Sequence, residues 1–280
     1  MNILDIAIAS ISFLTFREKI LLQKNIDTLD RLVILSIEEL SSIIGRSVKS
    51  PWQAQSIAKL AEFSLKIIET KGIQAVRYDD EDFPPLLREI FDPPYMIFYR
   101  GNLNALQKKC ISIVGTRKVC EEAAKSTLDF AKEAALDNRL IISGLANGID
   151  SFAHRGALSS CIGASTAAVL PCGIDTIVPT ANKKLADHIL RDNGCFLSEY
   201  IPGTPAEKWR FVQRNRLIAA LSPAVLVCQA PAGSGALITA DFALEYNRDV
   251  FFHKACFCSE ACKYEMVARE KLLSMGASGK

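Results

Sequence analysis

The 280-residue chain lacks an excess of charge of either sign. Lys and Arg total 33, Asp and Glu 31, and the net charge is +2. That sum excludes a diffuse basic coat of the kind that carries many polyanion binders. A disulfide scaffold is also missing. Nine cysteines are too sparse for one and odd in number, and Cys110, Cys161, Cys172, Cys195 and Cys228 stand among apolar neighbours, where a thiol behaves as a small buried hydrophobe. A reducing compartment fits this usage. No apolar run is long enough to span a bilayer. The longest amino-terminal one, residues 3–16, carries Asp5 and has no basic residue ahead of it. It reads as a buried helix and not as a targeting segment, so a soluble, cytoplasmic protein without a membrane partner is expected. Internal repeats and low-complexity stretches are absent too. A composition of 49% hydrophobic and 23% charged residues excludes disorder, collagen-like repeats and a coiled-coil rod. The length allows one large domain or two modest ones.

What is present falls into three parts: residues 1–70, 71–105 and 106–280. The first is helical. Ser36-Ile37-Glu38-Glu39 has capping-box spacing, and Ser50-Pro51-Trp52-Gln53 repeats the signal with proline at the first helical position. Ile57, Leu60, Ala61, Leu65 and Ile68 then fall on one helical face. Gly45 and Gly72 mark helix ends. In the second part Pro84-Pro85 and Pro93-Pro94 exclude regular helix, which leaves an ordered connector packed on the next unit. In the third, short apolar runs (110–114, 140–143, 166–170, 195–198, 224–229 and 250–252) alternate with helical segments (121–136, 181–191 and 238–247). Continuous apolar strands separated by helices predict an α/β fold, a Rossmann-like doubly wound, mostly parallel sheet. Such sheets bind ligands at the carboxyl ends of their strands.

Four segments at those ends are richer in Gly, Arg and small polar residues than a loop requires. Gly115-Thr116-Arg117 offers a close backbone approach, amides for an anion and a guanidinium fork; a solvated surface arginine is the ordinary alternative. The segment from Ser143 to Asp150 contains Gly144 and Gly148 and is followed by His154. Here an Asp that caps a helix and orients a buried His outweighs a catalytic pair, because no nucleophile or metal accompanies it. Residues 207–216 hold Lys208, Arg210, Arg214 and Arg216 against Glu207, with Trp209, Phe211 and Asn215 among them. Cations neutralise phosphates and an aromatic face stacks a base; a solvated basic face with its rings turned inward is equally consistent. Gly233-Ser234-Gly235, with Thr239 beyond it, opens a helix and makes an anion cradle or a tight turn.

Gly-x-Gly-x-x-Gly and the Gly-x-x-x-x-Gly-Lys-Ser/Thr loop are both missing, so neither a dinucleotide cofactor nor an ATP-hydrolysing site is expected. Cys256-x-Cys258-x3-Cys262 is compressed relative to zinc spacing and lacks a fourth ligand, so no metal is expected. No catalytic residue is assigned.

The ordered blocks resemble the DprA (Smf) family of bacterial DNA-processing proteins from the amino-terminal helices to about Phe252. They are Phe83-Pro84-Pro85-Leu86-Leu87, Asp92-Pro93-Pro94, Val114 to Arg117, Ser143 to Asp150 with Ala153 to Leu158, Arg214-Asn215-Arg216-Leu217-Ile218-Ala219, and Ser234-Gly235 with Leu237-Ile238-Thr239-Ala240. The resemblance implies a small SAM-like helical domain, an extended Rossmann domain, a homodimer, and a non-enzymatic protein. Such a protein would protect incoming single-stranded DNA in natural transformation and help load the RecA recombinase. It matches Arg117, Lys208 and Phe211 to the family's DNA pocket, with Gly115, Thr116, Arg214, Asn215 and Arg216 beside them. The chain departs from the pattern at Asn147 (usually Arg), Val212 (Pro) and Ala220 (Gly), and after Phe252, where a Pro-Gly continuation gives way to a cysteine-rich tail. The rival expectation is a Rossmann-like enzyme that cleaves the N-glycosidic bond of nucleoside monophosphates. Its usual Pro-Gly-Gly-x-Gly-Thr loop reads Pro231-Ala232-Gly233-Ser234-Gly235-Ala236 here, and the nearest glutamate is Glu245. Residues 207–216 carry a local +3, more than the surplus of the whole chain, which predicts a confined basic site.

Overall fold

Apolar runs of four to six residues bury on both faces only when helices cover both, and this decides the architecture. The computed structural model describes residues 2–257 and 272–279. Five helices come first: α1 (Ile3–Ser10), α2 (Phe16–Asn25), α3 (Leu29–Val33), α4 (Ile37–Ile44) and α5 (Ala54–Lys71). Then follow β1 (Gln74–Arg77), α6 (Pro85–Arg88), β2 (Met96–Gly101), β3 (Cys110–Gly115), α7 (Glu121–Leu136), β4 (Leu140–Ser143) and α8 (Ile149–Leu158). The remainder is β5 (Thr166–Val169), α9 (Lys183–Arg191), β6 (Cys195–Ser198), α10 (Lys208–Ala220), β7 (Ala224–Cys228), α11 (Gly235–Glu245), β8 (Asp249–Phe252) and β9 (Ser278–Gly279).

The strands form one sheet in the order β1-β2-β6-β5-β4-β3-β7-β8-β9. It is parallel from β6 to β9, while β2 runs antiparallel to both β1 and β6. From β3 the chain winds one way through β4 and β5, and later returns to place β7 on the other side of β3. The β3/β7 boundary is therefore the topological switch point, where a crevice opens at the carboxyl ends of the strands.

Three local expectations are corrected. Residues 3–16 do not make one helix: Thr15 opens α2 in a capping box with Glu18, and α1 stops at Ser10. Ser50 does not cap α5, which begins at Ala54 with no side-chain cap; Trp52 instead donates to the Leu35 carbonyl. The buried stripe of α5 is Ala54, Ala58, Ala61, Ser64 and Ile68, rotated from the expected face, and Leu60 is 41% exposed. Small residues let α5 approach α1 closely, so volume and not hydropathy sets that face. Ser36 does close a capping box with Glu39, and Gly45 (φ +76°) and Gly72 (φ +59°) take the left-handed C-cap.

The Pro-rich segment is more than a connector, since it contributes β2, and β1 lies just before the first Pro pair. β2 follows closely on Pro93-Pro94, and its place in the sheet comes from pairing with β1 and β6. One hydrophobic cluster covers both faces of the sheet around β3, β4 and β7, where α7 and α8 pack on one face and α10 and α11 on the other. A second joins the amino-terminal helices to α9 and the β2, β5 and β6 end of the sheet, with Ile6, Leu22, Phe98, Leu170 and Phe196 in it. Polar ties cross the same junction: Asp5 accepts from Arg77 and from the Tyr95 hydroxyl, both at 3.0 Å, and Ser64 donates to the Pro202 carbonyl at 2.8 Å.

Candidate nucleic-acid interface

The switch-point crevice is a cleft of about 540 Å³. Gly115, Thr116 and Arg117 from the end of β3, Lys208, Phe211 and Asn215 from α10, and Ser234, Gly235 and Thr239 from the start of α11 all line it. Residues more than a hundred positions apart in the chain thus share one wall. Arg117 and Lys208 are exposed, and the Arg117 guanidinium lies over the Phe211 ring, 5.3 Å from its centroid. That cation–π contact holds a charge and an apolar face as one unit. Lys208 begins α10, whose N-cap Glu207 makes no side-chain capping bond.

Arg214 and Arg216 are not in the same state. Arg214 is 3% exposed and donates to the carbonyls of Gly144 (2.8 Å) and Val169. Burial pulls its guanidinium down to about 10, with Asp150 opposing, so it remains charged at neutral pH. Arg216 is 6% exposed, bonds Glu199 and donates to the Asp92 carbonyl at 2.8 Å. Both arginines hold elements together, and their donors face protein. The local +3 read from residues 207–216 is accordingly not a surface charge. The solvent-facing cations of the cleft are Arg117 and Lys208.

The expected phosphate cradles are mostly occupied by the protein itself. In the β4–α8 loop the amides of Gly144 and Ala146 both point to the Asp150 carboxylate, at 3.1 and 3.3 Å. The anion in that nest is internal. A Cβ at Gly144 would strike the Arg214 guanidinium, and one at Gly148 (φ +82°) the Thr116 and Arg117 backbone. These glycines serve packing, and neither lines the cleft. Gly115 likewise abuts the Cys228 carbonyl and Ile149. The Thr116 amide donates to Gln229 O at 2.8 Å and the Lys118 amide to Thr116 Oγ1 at 3.1 Å. Ser234 caps α11 by accepting from Ala236 N, and Thr239 donates to the Gly235 carbonyl. Gly233 (φ +76°) has open space around it. What the cleft leaves open to solvent is the pair of side-chain cations, Arg117 and Lys208.

Asp150 neither caps α8 nor orients His154. Gly148 is the N-cap, and His154 Nδ1 meets Thr166 Oγ1 at 2.7 Å. The Thr166 hydroxyl donates to Ile141 O, so Nδ1 carries the proton. Complete burial, with Arg214 adding to it, holds His154 near 3, neutral at any ordinary pH. Glu245 ends α11, about 15 Å along the helix from the Gly233–Gly235 turn. Among the described residues the cleft contains one carboxylate, Asp150, and burial raises its pKa against the pull of Arg214. No acid–base pair faces the crevice there. Asn147 is exposed beside the loop and adds no charge where an arginine was expected. Cys256 is buried, while Cys258 and Cys262 lie outside the described residues. No helix among the described residues is long and apolar enough to cross a membrane.

The family described as DNA recombination-mediator protein A matches residues 74–278. The chain belongs to this family. It is a family of DNA-binding, non-catalytic processing proteins. Protein Smf of Borreliella burgdorferi is 32% identical over 253 residues, 90% of this chain and 79% of that protein. DNA processing protein DprA of Streptococcus pneumoniae is 40% identical over 201 residues, 70% of each chain. The crystal structure of the latter superposes with a TM-score of 0.77 at 30% identity, covering 100% of this chain and 95% of that one. DNA processing protein A from Helicobacter pylori, described for its single-stranded DNA binding mode, gives a TM-score of 0.64 at 30% identity over 74% of this chain and 90% of that one.

Proposed function

We propose that this family member binds single-stranded DNA in the switch-point crevice. Arg117 and Lys208 contact phosphates, Phe211 meets a base, and Asn215, Ser234 and Gly235 line the path. The observation that carries this reading is the Arg117–Phe211 pair beside Lys208 at the carboxyl end of β3. Charge and an aromatic face together are what a sequence-tolerant single-strand site needs. Arg214 and Arg216 act by shaping α10. The reading extends to a homodimer that works in the cytoplasm, protects incoming strands and hands them to RecA. The family's description as a recombination mediator supports that extension.

The test is a salt titration of binding to single- and double-stranded oligonucleotides. Single strands bind more tightly, and log affinity falls with log salt at about 0.7 per phosphate neutralised. Replacing Arg117 and Lys208 together by Ala lowers affinity and that slope while thermal stability stays the same. Unchanged affinity in the double variant removes the assignment. Release of free base from a nucleoside monophosphate would turn the reading towards the enzyme. Sedimentation of the full chain, and strand transfer to RecA in the presence of a competing single-strand binder, test the extension.

A further inference from the structure

Helix α10 separates two cavities. Lys208, Phe211 and Asn215 face the crevice. Trp209, Arg210, Gln213 and Arg216 line a second cavity of about 500 Å³ between the amino-terminal helices and the sheet. At about 100° per residue, Trp209 and Phe211 project from roughly opposite sides of the helix. The two cavities share no lining residue, and the amino end of α10 lies between them, with Lys208 on the crevice side and Trp209 on the other.

Trp209 is 49% exposed and yet is held in place. Its indole N–H donates to Glu207. The Arg210 guanidinium lies 4.8 Å from its ring centroid and 5.3 Å from that of Tyr200, and Tyr200 meets the indole edge-on at 6.4 Å. Trp52, the other tryptophan of the chain, is partly buried and packs edge-on against Phe13. A large ring fixed in one orientation at a cavity mouth has already met the ordering cost of a stacking contact. The cavity behind it has Lys19, Arg210 and Arg216 on its walls with Asp92 and Glu199, and Arg216 is spent on the last two. Arg210 Nε and the Tyr200 hydroxyl, on residues that line it, have no partner among the described residues. A fixed aromatic platform next in sequence to Lys208, with unpartnered polar atoms behind it, suits a polyanion with planar groups.

We propose that Trp209 is a second base-stacking platform for the same single strand, which runs from the Arg117–Phe211 crevice across the amino end of α10 to the mouth of the second cavity. This rests on the single-strand reading above and adds the strand's path and a residue to it.

Oligothymidylates of four and twelve nucleotides separate the two claims. Trp209→Ala lowers affinity for the 12-mer about 5- to 150-fold, the range of one lost stacking contact, and changes the 4-mer less than about twofold. Trp209→Phe restores most of the loss. In the Trp52→Phe background, where Trp209 is the sole tryptophan, the 12-mer quenches its emission and the 4-mer leaves it nearly unchanged. The affinity arm needs no change at Trp52, so it stands even if that variant folds poorly. If the 12-mer still depends on Arg117 and Lys208 while Trp209→Ala binds it normally, the second platform is refuted and the crevice stands. If the Arg117/Lys208 variant binds both lengths normally, the crevice reading fails and the path falls with it. Quenching by thymidine monophosphate alone, equal to that by the 12-mer, would make the cavity a mononucleotide site and overturn the strand path.

Discussion

The two halves of helix α10 carry the same kind of residue into opposite environments. At its amino end Lys208 and Phe211 face an open crevice, and Arg117 comes across from β3 to cover the Phe211 ring. Less than two turns later, Arg214 and Arg216 point inward and spend their donors on the carbonyls of Gly144, Val169 and Asp92 and on Glu199. A helix with one end at the crevice and the other in the core has to satisfy its cations differently at each end. An exposed cation stays available to a ligand, whereas a buried one is tolerated only when its fork is filled. Local net charge does not distinguish these cases, but hydrogen-bond partners do.

The largest expected effect breaks the buried half. Arg214→Ala leaves two buried carbonyls without their donor and Asp150 without its nearby cation, and it destabilises the fold by about 3 kcal/mol or more. Arg216→Ala strands the buried Glu199 carboxylate at a similar cost, about 3–5 kcal/mol. Urea midpoints with unchanged slopes measure both. A loss of single-strand binding without any loss of stability would show that these arginines face the ligand after all.

Next comes the open half. The Arg117→Ala, Lys208→Ala double variant keeps its urea midpoint and loses about two phosphate contacts, which lowers the salt slope by about 1.4. Phe211→Leu retains the apolar bulk, removes the ring, and weakens single-strand binding by about 1–3 kcal/mol at constant slope. If Phe211→Leu altered the slope instead, its role would be to position Arg117, which rests on that ring.

The smallest effect at neutral pH belongs to His154, beneath Arg214. Its folded pKa is depressed to about 3 from 6.5, so below pH 6.5 the unfolded chain takes up a proton that the folded chain refuses. Stability from this site is complete above pH 6.5 and is lost as pH falls towards 3. His154→Phe changes little at pH 7 and flattens the decline of the urea midpoint between pH 7 and 5. A decline as steep as that of the parent would place the acid sensitivity elsewhere.

Periodicity alone determined six of the seven parallel strands, β3 to β8, and α7, whose bounds agree with those read from the apolar runs to within a residue. It also determined that Gly115-Thr116-Arg117, Lys208, Phe211 and Ser234-Gly235 lie at or beyond strand ends, because strand and helix repeats depend only on neighbours along the chain. Family blocks carried the rest of the assignment. β1 and β2 stayed hidden, since β1 is a four-residue edge strand held only by β2, and β2 pairs with the distant β6, Phe98 opposite Ser198. The same limit applied to the basic segment. Whether Arg214 meets water or the Gly144 carbonyl depends on residues 70 positions away. Whether Gly144 and Gly148 cradle a ligand or make room for Arg214 and the Thr116 backbone depends on how three strands align. Tertiary structure decided which charges are free and which of two neighbouring aromatics faces which cavity, because burial and hydrogen-bond saturation belong to the assembled sheet and to no local stretch of chain.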